Sequence, residues 1–237
     1  GASGAAGAGG TGSAGGGGSN ADGQNSGPNL SEVRILGLSS PQSKLMRTLP
    51  GGQTVPVLRV RYGQLITLRG RFQHRDGTGL ASAKVELRDS AGRFRAGTRT
   101  DKRGSFTFRT RAVLGGVWTV AALGQPERRA AAILEVTPIV RASFSRKALR
   151  QGQIIRVRGV ILPRAGSYAK AIQLQFKQGR TWRPMANGRI ARNGTFKLTY
   201  RFRTGGGYKV ALRVAVPAER GWSFQPTSTR PVTVRVR

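Results

Sequence analysis

In its C-terminal part the chain alternates. Phe196, Leu198, Tyr200 and Phe202 take turns with Lys197, Thr199, Arg201 and Arg203. Tyr208, Val210, Leu212, Val214 and Val216 do the same with Lys209, Ala211, Arg213 and Ala215, and Val232, Val234 and Val236 with Thr233, Arg235 and Arg237. A period of two puts every apolar side chain on one face of an extended strand. Each stretch therefore predicts a strand that covers a core on one side and presents a cationic face on the other. No ten-residue stretch combines a 3.6-residue apolar period with a cap, so no helix is predicted.

The same blocks occur twice. Tyr62-Gly63-Gln64-Leu65-Ile66-Thr67-Leu68-Arg69-Gly70 returns as Gln151-Gly152-Gln153-Ile154-Ile155-Arg156-Val157-Arg158-Gly159. Arg103-Gly104-Ser105-Phe106-Thr107-Phe108 returns as Asn193-Gly194-Thr195-Phe196-Lys197-Leu198, and Gly116-Val117-Trp118-Thr119-Val120-Ala121 as Gly206-Gly207-Tyr208-Lys209-Val210-Ala211. Three blocks in one order, at offsets of 89, 90 and 90 residues, make a duplicated domain. Turn residues punctuate each copy at Asp76-Gly77, Ala91-Gly92, Gln178-Gly179 and Asn193-Gly194, among others. About seven short strands per copy predict a β-sandwich. The fold class is thus all-β: two tandem immunoglobulin-like β-sandwiches, residues 52–137 and 138–237, joined at Thr137-Pro138. Phe106, Phe108 and Trp118 in one copy, and Phe196, Leu198 and Tyr208 in the other, are the expected core.

Thr100-Asp101-Lys102-Arg103-Gly104-Ser105-Phe106-Thr107-Phe108, following the strand Ala83-Lys84-Val85-Glu86-Leu87, resembles a recurrent bacterial pattern. It is similar to prealbumin-like and carboxypeptidase-regulatory-like members of the immunoglobulin-like superfamily, which stand in tandem in exported bacterial surface proteins. The resemblance covers residues 52–237 and implies a spacer, stalk, adhesin or pilus subunit. The second copy departs from it, with Ala191-Arg192-Asn193-Gly194 at the turn. Stabilising isopeptide bonds occur in some such pilin domains; Glu219, the one acid of the second copy, lies in a loop, and no bond is expected there.

Two regions precede the duplication. Residues 1–28 are a Gly/Ala-rich low-complexity leader, with twelve Gly, six Ala and no larger aliphatic residue. Alone it cannot bury enough apolar area to offset its chain entropy. The small residues following Gly1 are what cleavage of a signal peptide leaves, and a secreted protein is expected. Residues 29–51 read as an extended strand and linker, the strand carrying Val33, Ile35, Leu36 and Leu38. It lies outside both copies, so neither sandwich obviously needs it. An unclaimed apolar strand can add to an open sheet edge. Strand donation to a neighbouring copy is the expectation, with return to its own first sandwich as the alternative; Ser39 to Gln53 is the linker in either case.

Charge sharpens the picture. The 41 Lys and Arg against 9 Asp and Glu give a net +32. Residues 52–137 hold sixteen cations and six acids, a net +10; residues 138–237 hold twenty-two cations against Glu219, a net +21. Arg, which binds carboxylate, phosphate and sulfate bidentately, is the commoner cation. Arg156, Arg158, Lys197, Arg201, Arg203, Lys209, Arg213, Arg235 and Arg237 fall on the polar side of alternating strands and are the candidate polyanion-facing residues. They belong to several strands, so the charge is expected to wrap the domain. Aromatic residues alternate inward, which argues against sequence-specific nucleic-acid readout, where bases stack on exposed rings.

Catalysis finds little to work with. His74 is the one histidine and sits in the turn Gln73-His74-Arg75-Asp76-Gly77, and there is no cysteine. No carboxylate pair or oxygen-rich loop presents itself, so neither catalytic nor metal-ligating residues are assigned, no cofactor is expected, and the protein is expected not to be an enzyme. Gly7-Ala8-Gly9-Gly10-Thr11-Gly12 matches a dinucleotide fingerprint, but no predicted strand precedes it and no helix follows. Asn29-Leu30-Ser31 and Asn193-Gly194-Thr195 match the glycosylation sequon at chance level. No membrane span is expected. The sequence leaves two readings: an extracellular structural protein, the repeating subunit of a surface filament or sheath with other copies of itself as partners; or a secreted basic module bound to anionic cell-wall or matrix polymer, be it polysaccharide, teichoic-type polymer or extracellular DNA.

Overall fold

The computed structural model describes residues 34–123 and 125–237. The leader, the sequon at Asn29 and Val33 lie outside the described residues. Among the described residues every regular element is a strand. Nine precede Pro138: β1 (Arg34–Ser39), β2 (Leu45–Thr48), β3 (Thr54–Arg61), β4 (Leu65–Gln73), β5 (Lys84–Arg88), β6 (Phe94–Arg99), β7 (Ser105–Arg111), β8 (Gly116–Ala122) and β9 (Gln125–Thr137). Nine follow it: β10 (Ile139–Phe144), β11 (Ala148–Leu149), β12 (Ile154–Leu162), β13 (Ala171–Gln178), β14 (Thr181–Arg189), β15 (Thr195–Arg201), β16 (Tyr208–Val216), β17 (Thr227–Ser228) and β18 (Val232–Val236).

Each set forms a small and a large sheet. The first pair is β1-β4-β7 and β2-β3-β9-β8-β5-β6; the second is β10-β12-β15 and β11-β18-β16-β13-β14, with β17 on β16. Ile66, Leu68, Phe72, Phe106 and Phe108 of the first small sheet share one buried cluster with Leu58, Val85, Leu87, Trp118 and Val120 of the large one. Ile155, Val157, Phe196 and Leu198 share another with Ile172, Leu174, Leu212, Val214 and Val234. The inward positions of the alternation thus fill the space between two sheets, and the chain forms two immunoglobulin-like β-sandwiches. Of the expected core, Tyr208 alone is half-buried, its hydroxyl donating to the Thr204 carbonyl at 3.3 Å at the mouth of the strand.

The turn that carries the family resemblance is built on hydrogen bonds. Asp101 Oδ1 accepts from the backbone N–H of Arg103 and of Ser105, both at 2.8 Å. The Thr100 hydroxyl donates to Leu80 O at 2.5 Å and accepts from Ala83 N–H at 2.9 Å. Gly104 takes φ +76°, and a Cβ there would collide with the Phe72 carbonyl, so no other residue fits. In the second copy Asn193 Oδ1 accepts from the Thr195 N–H at 3.0 Å and hydroxyl at 2.7 Å. The departure at Ala191–Gly194 therefore moves the capping side chain two residues along and keeps the turn.

The strand read as spare is not spare. β1 pairs antiparallel with β4 of its own sandwich, Arg34 opposite Gln73, Ile35 opposite Phe72 and Leu36 opposite Arg71. In the second copy β10 pairs with β12 with Ile139 opposite Leu162 and Val140 opposite Ile161. Gln73 and Leu162 stand at the repeat offset of 89, so β1 fills in the first sandwich the place that β10 fills in the second. Leu38 is buried in the first core. The expectation that neither sandwich needs this strand is corrected: its counterpart opens the second sandwich shortly before the repeated blocks, whereas an insertion displaces it upstream in the first. Part of that insertion, read as linker, is β2, paired with β3 from Leu45–Val57 to Thr48–Thr54.

Candidate functional site

On the outer face of the second small sheet, Arg158 of β12 stands opposite Ser143 of β10 on one side and Lys197 of β15 on the other. Arg141, Arg156 and Arg201 are exposed on the same strands. Directly opposed like charges on an antiparallel sheet oppose pairing. Arg158 and Lys197 border an open groove of about 640 Å³, together with the hydroxyl-bearing Ser143 and Thr195 and with Arg189, which reaches over from β14. The Arg189 guanidinium is held in place by donating to the Ala169 carbonyl at 2.7 Å.

A second groove lies on the other sheet. Lys209 of β16 stands opposite Arg235 of β18, which in turn faces Ala148 of β11. Lys147, Lys209, Thr233 and Arg235 line a recess of about 400 Å³. The outward side chains of these two sheets point away from one shared core, so the two cationic rows occupy opposite faces of the sandwich.

Not every candidate cation is available to a ligand. Arg213 is half-buried, its guanidinium over the Trp182 ring at 4.3 Å and its Nε donating to Gln175 Oε1 at 2.9 Å. Burial pushes this guanidinium below its ordinary range. Its place among the polyanion-facing residues is corrected to a packing role. Arg156, Arg158, Lys197, Arg201, Arg203, Lys209, Arg235 and Arg237 are exposed. Arg203 and Arg237 lie beyond the ends of β15 and β18, away from the opposed pairs.

Among the described side chains the carboxylates are already engaged. Glu219 accepts from the Ala171 N–H at 3.0 Å and from Lys170 Nζ at 3.1 Å, and these bonds, the first above all, hold its carboxyl below the usual range. In the first sandwich Glu135 faces Arg59 across the β3–β9 ladder and takes Arg59 Nε and Arg47 Nη2, each at 2.8 Å. Asp76 accepts from the Thr78 N–H, and the Glu86 carboxylate pairs with Arg88 at 2.7 Å. Asp89, fully buried, takes Arg95 and the N–H groups of Ala91 and Arg93. His74 is half-buried in its turn, its backbone N–H donating to the Thr78 carbonyl at 2.8 Å.

Two of these acids set a pH response. Arg59 and then Arg47 lower the Glu135 carboxyl, while burial works against them. For Asp89 burial alone would raise the carboxyl, but the bonds from Arg95 and the backbone outweigh it and the net direction is down. A depressed folded-state value means stabilisation that is complete above the ordinary carboxylate range and is lost as pH falls through the depressed values. The first sandwich should therefore lose melting temperature below roughly pH 4, in a scan followed through Trp118. Glu135→Gln should flatten that decline; a variant as acid-sensitive as the wild type would exclude Glu135 as a cause.

Arg189, Lys147 and Ser143 were absent from the sequence-derived set. No alternation marks Arg189 as a neighbour of Lys197, because they belong to different sheets. Packing of the end of β14 against β15 brings them together, with Gly188 lying against Leu198 and the Lys197 carbonyl.

No family model matches the chain, and no curated protein matches it. Solved structures do resemble it. The adhesin InvE of Yersinia pseudotuberculosis aligns over 75% of this chain and 56% of its own, at 12% identity and a TM-score of 0.41. The D0-D1 domain of intimin aligns over 84% and 98%, at 12% and 0.31, and the ICAM-5 D1-D4 ectodomain fragment over 81% and 53%, at 14% and 0.38. This chain thus spans about half the length of two of the three. Likenesses of this order bear on neither activity nor partner; the fold stands on the strand pairing itself.

Proposed function

We propose that this chain is a non-catalytic extracellular protein that holds anionic polymers at a cell surface, with the second sandwich as the binding module. One observation carries the reading: twenty-two cations share that sandwich with a single acid, Glu219, which is spent on Lys170 and Ala171. The first sandwich sets a contrast, placing Arg59 opposite Glu135, where the second opposes Arg158 to Lys197 and Lys209 to Arg235. Opposed cations weaken the sheet until an anion lies between them. The resemblance to tandem modules of exported surface proteins supports the location. A filament subunit joined by strand donation is supported less well, because β1 is already paired at home.

The test is retention on immobilised heparin across a salt series. Elution should shift steeply with ionic strength, since exposed charges are screened within a Debye length of about 8 Å at physiological salt, and a neutral dextran column should retain nothing. Retention that ignores salt would sink the reading.

A further inference from the structure

We infer that the second sandwich grips two anionic chains at once, one on each face, and so cross-links the polymer it binds. The inference rests on the polymer-holding reading and adds what a diffuse positive field would not supply.

Each sheet of this sandwich has its own built groove. On the small sheet Arg158 and Lys197 are neighbours in register, and Arg189 supplies a third cation from outside the sheet. On the large sheet Lys209 and Arg235 are neighbours in register, with Lys147 as the third. In both places a hydroxyl stands beside the cations, Thr195 in one and Thr233 in the other. Directly opposed residues on antiparallel strands hold their Cβ atoms about 4.5–5.5 Å apart. Two cations at that spacing can share one phosphate or sulfate group, whose oxygens accept from both. The ligand class is therefore a linear polymer bearing phosphate or sulfate esters.

Among the described residues neither opposed cation pair recurs at the equivalent positions of the first copy. Arg69, the counterpart of Arg158, faces Thr107, and Thr119, the counterpart of Lys209, faces Ala131. Lys84 does stand opposite Arg99 in the first sandwich, but Glu86 follows on the same face of the strand and brings an acid beside the pair. The two grooves of the second sandwich look in opposite directions from the two sheets that enclose one core. A hexasaccharide seated along one groove is turned away from the other, so filling both with hexasaccharide takes two molecules.

The experiment uses the full-length protein, a heparin hexasaccharide and long heparin. Calorimetry with the hexasaccharide should lose one bound molecule per chain in Arg158→Gln/Lys197→Gln, and likewise in Lys209→Gln/Arg235→Gln. With long heparin the wild type should form a light-scattering network, and each of these double variants should abolish it while still binding. Arg69→Gln/Arg109→Gln removes the same charge from the first sandwich and should leave the network intact. The two groove variants should melt no lower than the wild type, since each relieves repulsion between opposed cations, and the first-sandwich variant should stay folded, since Arg69 and Arg109 face only Thr107 and Thr67. Equal losses in the three variants, or a network that survives either groove variant, would overturn the inference while leaving the polymer-holding reading in place. A wild type that takes up no hexasaccharide at low salt would sink both.

Discussion

Removing residues 1–39 is expected to unfold the first sandwich, whereas removing 1–33 is the comparison that leaves β1 in place. The difference between the two truncations is β1 itself. Leu38 is buried in the first core, a contribution of roughly 1.5–3 kcal/mol. The pairing with β4 from Arg34–Gln73 through Ser39–Arg69 adds backbone bonds worth about 0.5–1.5 kcal/mol each. Together these approach the total stability of a small domain, about 5–15 kcal/mol. At about 4–8 °C per kcal/mol for a domain of this size, the melting temperature should fall by on the order of 20 °C. Trp118, buried in the first core, reports that transition. If the two truncated proteins melt together, β1 is dispensable and the equivalence with β10 is only geometrical.

Strand donation to a neighbour makes the opposite forecast, that loss of the strand ends polymerisation and leaves both sandwiches folded. The equivalence of β1 to β10 explains why the sequence pointed that way. The repeat is visible from Tyr62 onward because the blocks share residues at a fixed offset, and β10 lies shortly before the blocks of the second sandwich. Before β3 the first copy carries the β2 insertion, which moves β1 out of alignment with any repeated block. Alternation names a strand and its buried face; it says nothing about which edge the strand will meet. The fold was legible for the same reason that the cores were: Phe106, Phe108, Phe196 and Leu198 sit on the apolar side of period-two stretches and are buried.

The candidate site was legible by face but not by register. Arg158, Lys197, Lys209 and Arg235 were all identifiable as outward-pointing. That they form two opposed pairs follows only from how β12 meets β15 and β16 meets β18. Arg213 obeys the same alternation as Lys209 and is nevertheless covered by contact with Trp182, because β14 folds back beside β13 and brings the indole within reach. A bulge between Leu174 and Gln175 intervenes in that pairing, and periodicity cannot announce it.

The two sandwiches should melt as one unit in the wild type and separate into two transitions in Phe224→Ala. Phe224 belongs by sequence to the loop between β16 and β17 of the second sandwich, yet it is buried in the core of the first. Its ring meets Tyr62 edge-on at 6.2 Å and Trp222 at 5.5 Å. The Gln225 N–H donates to the Val136 carbonyl at 2.9 Å, tying the loop to β9. Gly115 completes the joint, since a Cβ there would collide with the Ser223 carbonyl. Truncating a buried Phe costs about 3–5 kcal/mol, and here the loss falls on the first sandwich although the substitution lies in the second. Scanning calorimetry should show the first sandwich's transition lowered by on the order of 15 °C or more, with the other transition nearly unmoved. Gly115→Ala should split the transitions in the same way without removing any apolar area. Because both grooves are built from strands of the second sandwich, Phe224→Ala should leave hexasaccharide uptake at the wild-type level. A single transition in both variants, shifted by no more than a degree or two, would mean that the joint does not couple the sandwiches.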